Sequence, residues 1–225
     1  MKWLISYALI LFQQLSVAQK ESMSYQFTSV NTMHIKNYER NLDVKRIEFT
    51  NNQDSTYNLS INIYENSKTA MLMDYKKKVM IGFQINFDYQ QIEDLNKLKN
   101  PILFTSVKST KDKEYKNAVE EVEAQIDSAD NQKTIVHTIK YKNDQKKKIV
   151  YESYSFFDNN AKLNNDRNVQ FKNYLVDQYH LNQIKNQYLE KILILYKGKI
   201  DKQIDFLDFS KTDFKFEFKI EETMP

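Results

Sequence analysis

The clearest pattern along the chain is alternation of apolar positions with intervening ones. Val79, Ile81, Phe83, Ile85 and Phe87 are interleaved with Met80, Gly82, Gln84 and Asn86. Tyr57, Leu59, Ile61 and Ile63 alternate with Asn58, Ser60 and Asn62, and Phe214, Phe216, Phe218 and Ile220 with Lys215, Glu217 and Lys219. A period of two is strand geometry, because successive side chains point to opposite faces. One face of each run then meets a core and the other meets water, as in antiparallel sheets.

Turn residues divide these runs at hairpin spacing. Glu65-Asn66-Ser67-Lys68 links Tyr57–Tyr64 to Ala70–Tyr75, and Lys76-Lys77-Lys78 links that strand to Val79–Phe87. Lys197-Gly198 separates Leu189–Tyr196 from Lys199–Phe209, where glycine supplies the positive φ of a tight hairpin. Asn143-Asp144 opens the turn before Ile149–Phe157. Asn and Asp are the natural occupants of the remaining left-handed turn positions.

Two segments read as helices. Asp88 and Gln91 form a capping-box-like pair, with Phe87 and Ile92 placed as a hydrophobic staple. Ile92, Leu95 and Leu98 recur on one face, and Asn100-Pro101 closes the segment. The second helix starts near Asn168, with Phe171, Tyr174, Leu175, Gln178, Leu181 and Ile184 along one stripe. Residues 115–129 fit either period. A strand is favoured there because a meander follows at Lys133–Lys142 and Ile149–Phe157.

These elements predict a mainly β, β-rich α+β fold. The expected form is an antiparallel meander of about eleven strands, curved into an open sheet or half-barrel, with two helices over one face. A two-sheet β-sandwich is the alternative. In outline, such a half-barrel resembles periplasmic lipoprotein carriers, with no shared motif behind the likeness. Asp74-Tyr75-Lys76-Lys77-Lys78 is echoed by Asp144-Gln145-Lys146-Lys147-Lys148, and Phe87-Asp88 by Phe157-Asp158 at the same offset. Generic hairpin chemistry explains the echo; an internal duplication of 57–99 in 118–175 is the sharper alternative.

Composition removes much chemistry. The chain has 2 glycines, far below the usual share of about 7%. Gly82 and Gly198 are too far apart to build a P-loop, a dinucleotide fingerprint or a nucleophile elbow. With no cysteine, disulfides, thiol nucleophiles, Fe–S clusters and cysteine-ligated zinc are excluded. The charge is +3, and only Arg40, Arg46 and Arg167 are arginines, a poor basis for reading nucleic acid. The aromatic and hydrophobic content, 13% and 41%, suffices for a packed core.

The first eighteen residues read as a signal peptide: Lys2, an apolar stretch Leu4–Phe12, and a small-x-small site Ser16-Val17-Ala18. Gln13-Gln14 interrupt the stretch well short of a membrane-spanning length. Cleavage after Ala18 leaves a single domain over 19–225, without Trp3, the one tryptophan. The expected location is periplasmic or secreted, with no transmembrane span in the mature chain.

Candidate chemistry is sparse. His34, His137 and His180 are too scattered for a zinc motif. His137 shares its strand face with Ile135, Ile139 and Tyr141 and reads as a hydrogen-bonded strand histidine. Asp158-Asn159-Asn160 with Asn164-Asn165-Asp166 is the best oxygen-ligand cluster. It lacks the calcium-loop glycine, carries Lys162 at a ligand position, and so reads as a helix-capping loop. Glu120, Glu121, Glu123, Asp201, Asp205 and Asp208 include no recognisable catalytic pair. The lysine triplets Lys76, Lys77, Lys78 and Lys146, Lys147, Lys148 are candidate contacts for anionic lipid or polysaccharide if their hairpin tips share one end of the sheet. Solvated turns are the plainer reading. No catalytic, cofactor or metal residues are assigned. The expected function is an exported, non-enzymatic binding or interaction module, its partner an envelope protein. Carriage of an apolar or lipid-like ligand and a carboxylate-dependent hydrolase are the alternatives.

Overall fold

A computed structural model describes residues 21–105, 117–130, 132–159 and 166–220. Residues 1–18, expected to be a signal peptide, and Asn160, Lys162, Asn164 and Asn165 of the oxygen-rich loop lie outside these residues. The strands are β1 (Glu21–Asn37), β2 (Leu42–Thr50), β3 (Tyr57–Ile63), β4 (Lys68–Asp74), β5 (Val79–Gln84) and β6 (Lys99–Thr105). They continue as β7 (Val119–Ile126), β8 (Thr134–Tyr141), β9 (Ile149–Asp158), β10 (Tyr188–Tyr196) and β11 (Lys199–Ile220). One α-helix, α1 (Asp166–Tyr179), follows β9, and 3-10 turns occupy Ile92–Lys97 and Asn182–Ile184.

All eleven strands form one antiparallel sheet in the order β6-β5-β4-β3-β2-β1-β11-β10-β9-β8-β7. The sandwich alternative is not adopted. The ambiguous segment 115–129 carries β7, as its meander context suggested. Two meanders run outward from the centre, where the first strand pairs with the last from Glu21↔Ile220 to Asn37↔Lys202. The runs at Lys199–Phe209 and Phe214–Ile220 are a single strand, β11. Register shifts near Phe27/Ser29 and Thr32/Met33 let this long ladder bend.

Directly opposed residues in an antiparallel ladder point to the same face, so the register assigns each core to a side of the sheet. Phe27, Phe49, Leu59, Leu72 and Ile81 form the first core, on the inner face of β1–β5. Phe83 reaches Phe218 and Phe216 across that face, with ring centroids 4.9 and 5.5 Å away. The first half thus curls until its fifth strand touches the eleventh. Val136, Phe157 and Leu189 form the second core beneath α1. Pairings from Met33↔Phe206 through Ile204↔Ile192, Ile192↔Ser155 and Ser155↔Val136 carry it to the opposite face. The expectation of helices over one face is therefore corrected. The turn at Ile92–Lys97 covers one side of the sheet and α1 covers the other.

The helical segments differ from their expected caps. The first is a 3-10 turn whose N-cap is Gln91, three residues beyond Asp88. Asp94 accepts from the Gln90 and Gln91 backbone N–H groups at 2.7 and 3.0 Å, so it satisfies donors at the turn's start. Asp88 instead pairs with Lys68. Leu95 is fully buried, with Ile92 and Leu98 packed beside it, as the spacing predicted. Asn100-Pro101 does not close this turn but lies in β6, the sheet's edge, where proline leaves no ladder donor missing. In α1, Lys172 and Leu175 are buried, whereas Tyr174 and Gln178 face solvent. Leu181 and Ile184 are buried beyond the helix, which ends before His180 at φ 56°.

Gly82 sits where β5 and β6 fall out of register. The Phe104 ring lies over it, and a Cβ there would stand 3.1 Å from Cε2. The strand irregularity and close approach that a mid-strand glycine signals are both present. The left-handed turn positions are filled differently from expectation. Asn41 takes one, while Lys78, Lys146 and Lys197 take three, as the exposed tips tolerate a long cation; Asn100 is left-handed too, but within β6. The segments 57–99 and 118–175 each contain a three-stranded meander followed by a helical element. Their lysine triplets adopt different conformations: Lys78 ends a tight turn, whereas Lys146 sits inside a longer one.

Candidate functional site

A groove of about 360 Å³ opens on the face that carries α1, over the central strands. This volume lies within the range of about 300–1,000 Å³ usual for small-molecule sites. Alternation builds its floor. Met33 and Ile35 on β1, Ile204 and Phe206 on β11, and Leu189 and Ile192 on β10 all project to this side. Tyr151 of β9 and Phe171 of α1 add an aromatic wall.

Four polar side chains share the lining: Asn31, Arg46, Glu48 and Lys202. Arg46 projects from β2, and its Nε donates to Asn62 Oδ1 at 2.7 Å on β3. Glu48 is buried and accepts from Asn58 Nδ2 at 2.9 Å. Lys202 is half-buried. Burial pushes its ammonium below the ordinary lysine value, the nearby Arg46 guanidinium adds to that shift, and Asp201 opposes it. Among the described residues, neither Arg46 nor Lys202 forms an ion pair. Asn31 is only 3% exposed, and its Oδ1 has no hydrogen-bond partner among the described residues. The groove thus combines an apolar bed, two cations and a buried carboxamide whose oxygen has no partner among the described residues.

The sequence reading named none of these four as site residues. A weak signal existed, because Asn31 is in phase with Met33 and Ile35, and Lys202 with Ile204 and Phe206. A polar residue on the buried phase of a strand needs a partner or a purpose. Lys172 shows the same signal in α1. It is buried, donates from Nζ to the Gln187 carbonyl at 3.0 Å, and lies over the Tyr188 ring.

The lysine triplets are exposed but are not brought together. The first joins β4 to β5 and the second β8 to β9. Those hairpins are seven places apart in an alternating sheet, so the tips lie at opposite ends of the strands. Lys77 rests over the Tyr25 ring, and Lys146 pairs with Glu121.

His137 stacks on Tyr154 at 4.3 Å and contacts Glu152 Oε1 at 3.2 Å, on the sheet face away from the groove. His34 lies against Asp43, with Asp205 3.9 Å from its Nδ1. Glu120 accepts from the Tyr174 hydroxyl at 3.3 Å, and Asp205 accepts from Gln203. Among the described residues no three His, Asp or Glu side chains converge on a metal-sized site. No described helix is long and apolar enough to cross a membrane. The chain matches no protein-family model, and comparison with the curated proteins finds no match.

Proposed function

We propose that the protein is an exported binding module whose central groove holds the apolar part of a small ligand. The observation that carries this reading is the groove of about 360 Å³ floored by Met33, Ile35, Ile204 and Phe206. A concave apolar site with a few polar groups is what ligand capture needs. This groove lends no comparable support to a hydrolase, because Glu48 is the one carboxylate among its lining residues and a carboxylate mechanism needs two.

The test is titration with N-phenyl-1-naphthylamine, an uncharged dye that brightens in apolar sites. Fluorescence should rise saturably with the native protein. The variant Ile204→Arg, which fills and charges the floor, should abolish the rise. Equal brightening by both proteins would place the dye elsewhere and remove the carrier reading. Export has its own check. The secreted protein should begin at Gln19 and show tyrosine emission alone, since Trp3 leaves with the signal segment. Tryptophan emission from it would refute cleavage.

A second reading, docking of an envelope protein, draws on the sheet face opposite α1. There Ile135, Ile139, Tyr154, Phe156, Leu193 and Leu195 project together and stay partly exposed.

A further inference from the structure

We propose that the groove selects an amphiphile with an anionic head, which Arg46 and Lys202 hold beside the Asn31 carboxamide. This rests on the groove being a ligand site and names the class of ligand. Cations withdrawn from water are normally paired, because desolvation penalises an isolated charge. Arg46 and Lys202 break that habit together. They line one partly apolar groove, close enough for Arg46 to disfavour the charge on Lys202, and neither has an ion-pair partner among the described residues.

Two like charges held this way repel each other, and an anion between them removes the repulsion. Asn62 grips Arg46 through Nε, so the remaining guanidinium nitrogens are left to face a guest. Glu48 is the opposing charge, but Asn58 holds it from the β3 side, and the four polar lining residues still sum to one net positive charge. Asn31 is an independent sign of a missing guest. It is more than nine-tenths buried, lines the groove, and leaves Oδ1 without a partner among the described residues. Buried carboxamides are normally satisfied. A head that pairs with the cations and also presents a polar hydrogen would complete all three groups, while its tail lies along Met33, Ile35 and Phe206.

Displacement of N-phenyl-1-naphthylamine from the full chain at pH 7 tests the idea. The competitors are decanoate, decyl phosphate, decanol and decyltrimethylammonium, which share a tail and differ in head. At least one anion should displace the dye at a concentration roughly tenfold below that of decanol, as about one retained charge-assisted contact implies. Arg46→Gln and Lys202→Gln should each shrink that preference, while Arg46→Lys, which keeps the charge, should preserve most of it. Circular dichroism of each variant separates lost recognition from lost fold. Equal displacement by all four heads, or preference for the ammonium, would overturn the anionic head and leave the groove as an apolar site. No displacement by any of them would overturn the groove reading itself.

Discussion

Asp94 shows how much one side chain can organise. Its carboxylate accepts from Lys97 Nζ at 2.6 Å and from the Gln90 and Gln91 backbone N–H groups. Lys97 first, then those two N–H groups, hold its pKa down at about 2, against an ordinary 3.8. A carboxylate depressed in the folded state contributes stability that is present above its unfolded pKa and is lost as pH falls through the folded one. The native protein should therefore lose melting temperature as pH drops from 3.8 toward about 2. Asp94→Asn should melt lower at neutral pH and vary less across that window. An unchanged pH slope in the variant would show that Asp94 contributes nothing there. At this scale the sequence was only partly legible. The burial of Leu95 follows from spacing alone. The cap does not, because Asp88-Gln91 and Gln91-Asp94 have the same spacing and only the tertiary pairing of Asp88 with Lys68 decides between them. Asn31, Arg46 and Lys202 stayed hidden because a polar residue on a strand is ordinary until the register shows which face it occupies.

Elements were more legible where one face is wet. β3, β4 and β8 stand close to where alternation put them, since half-buried strands write their period into the chain. β5 stops at Gln84 instead of running to Phe87, because its ladder to β6 shifts register past Gly82 and ends at Gln84↔Lys99. Residues of α1 were harder to assign, since a buried lysine such as Lys172 counts as polar in any periodicity. The β10–β11 hairpin was anticipated in its chemistry. Lys197 and Gly198 have φ of 51° and 74°, the paired positive values of a turn whose twist matches its strands. A Cβ on Gly198 would meet nothing within 4 Å, so a substitution acts through backbone strain alone. Gly198→Ala should cost about 1 kcal/mol, the left-handed penalty of an L-residue. Urea denaturation measures it, and coincident curves would mean that the tip relaxes freely.

At the scale of the molecule, the sheet is a ribbon that buries opposite faces in its two halves. The sequence showed the strand count and the meanders. It did not show the change of face, because that depends on bulges in the β1–β11 ladder and on the pairing of those two distant strands. Phe216 joins the first half, since its ring meets both Phe83 and Phe218 at 2% exposure. Phe216→Ala should destabilise by about 3–5 kcal/mol. Hydrogen exchange should quicken together at Met23–Phe27 and at Ile81–Phe83, leaving Val136 protected. Acceleration confined to one strand would deny that β5 and β11 close on each other. The central ladder also sets a sequence of events in time. In the ladder, residues Glu21–Phe27 pair only with Phe214–Ile220 of β11, so this part of β1 waits for a strand far along the chain. Contacts this distant along the chain slow folding. The β1–β11 ladder is thus the keystone between the two meanders: over Glu21–Phe27, β1 has no other strand to lean on until β11 is in place.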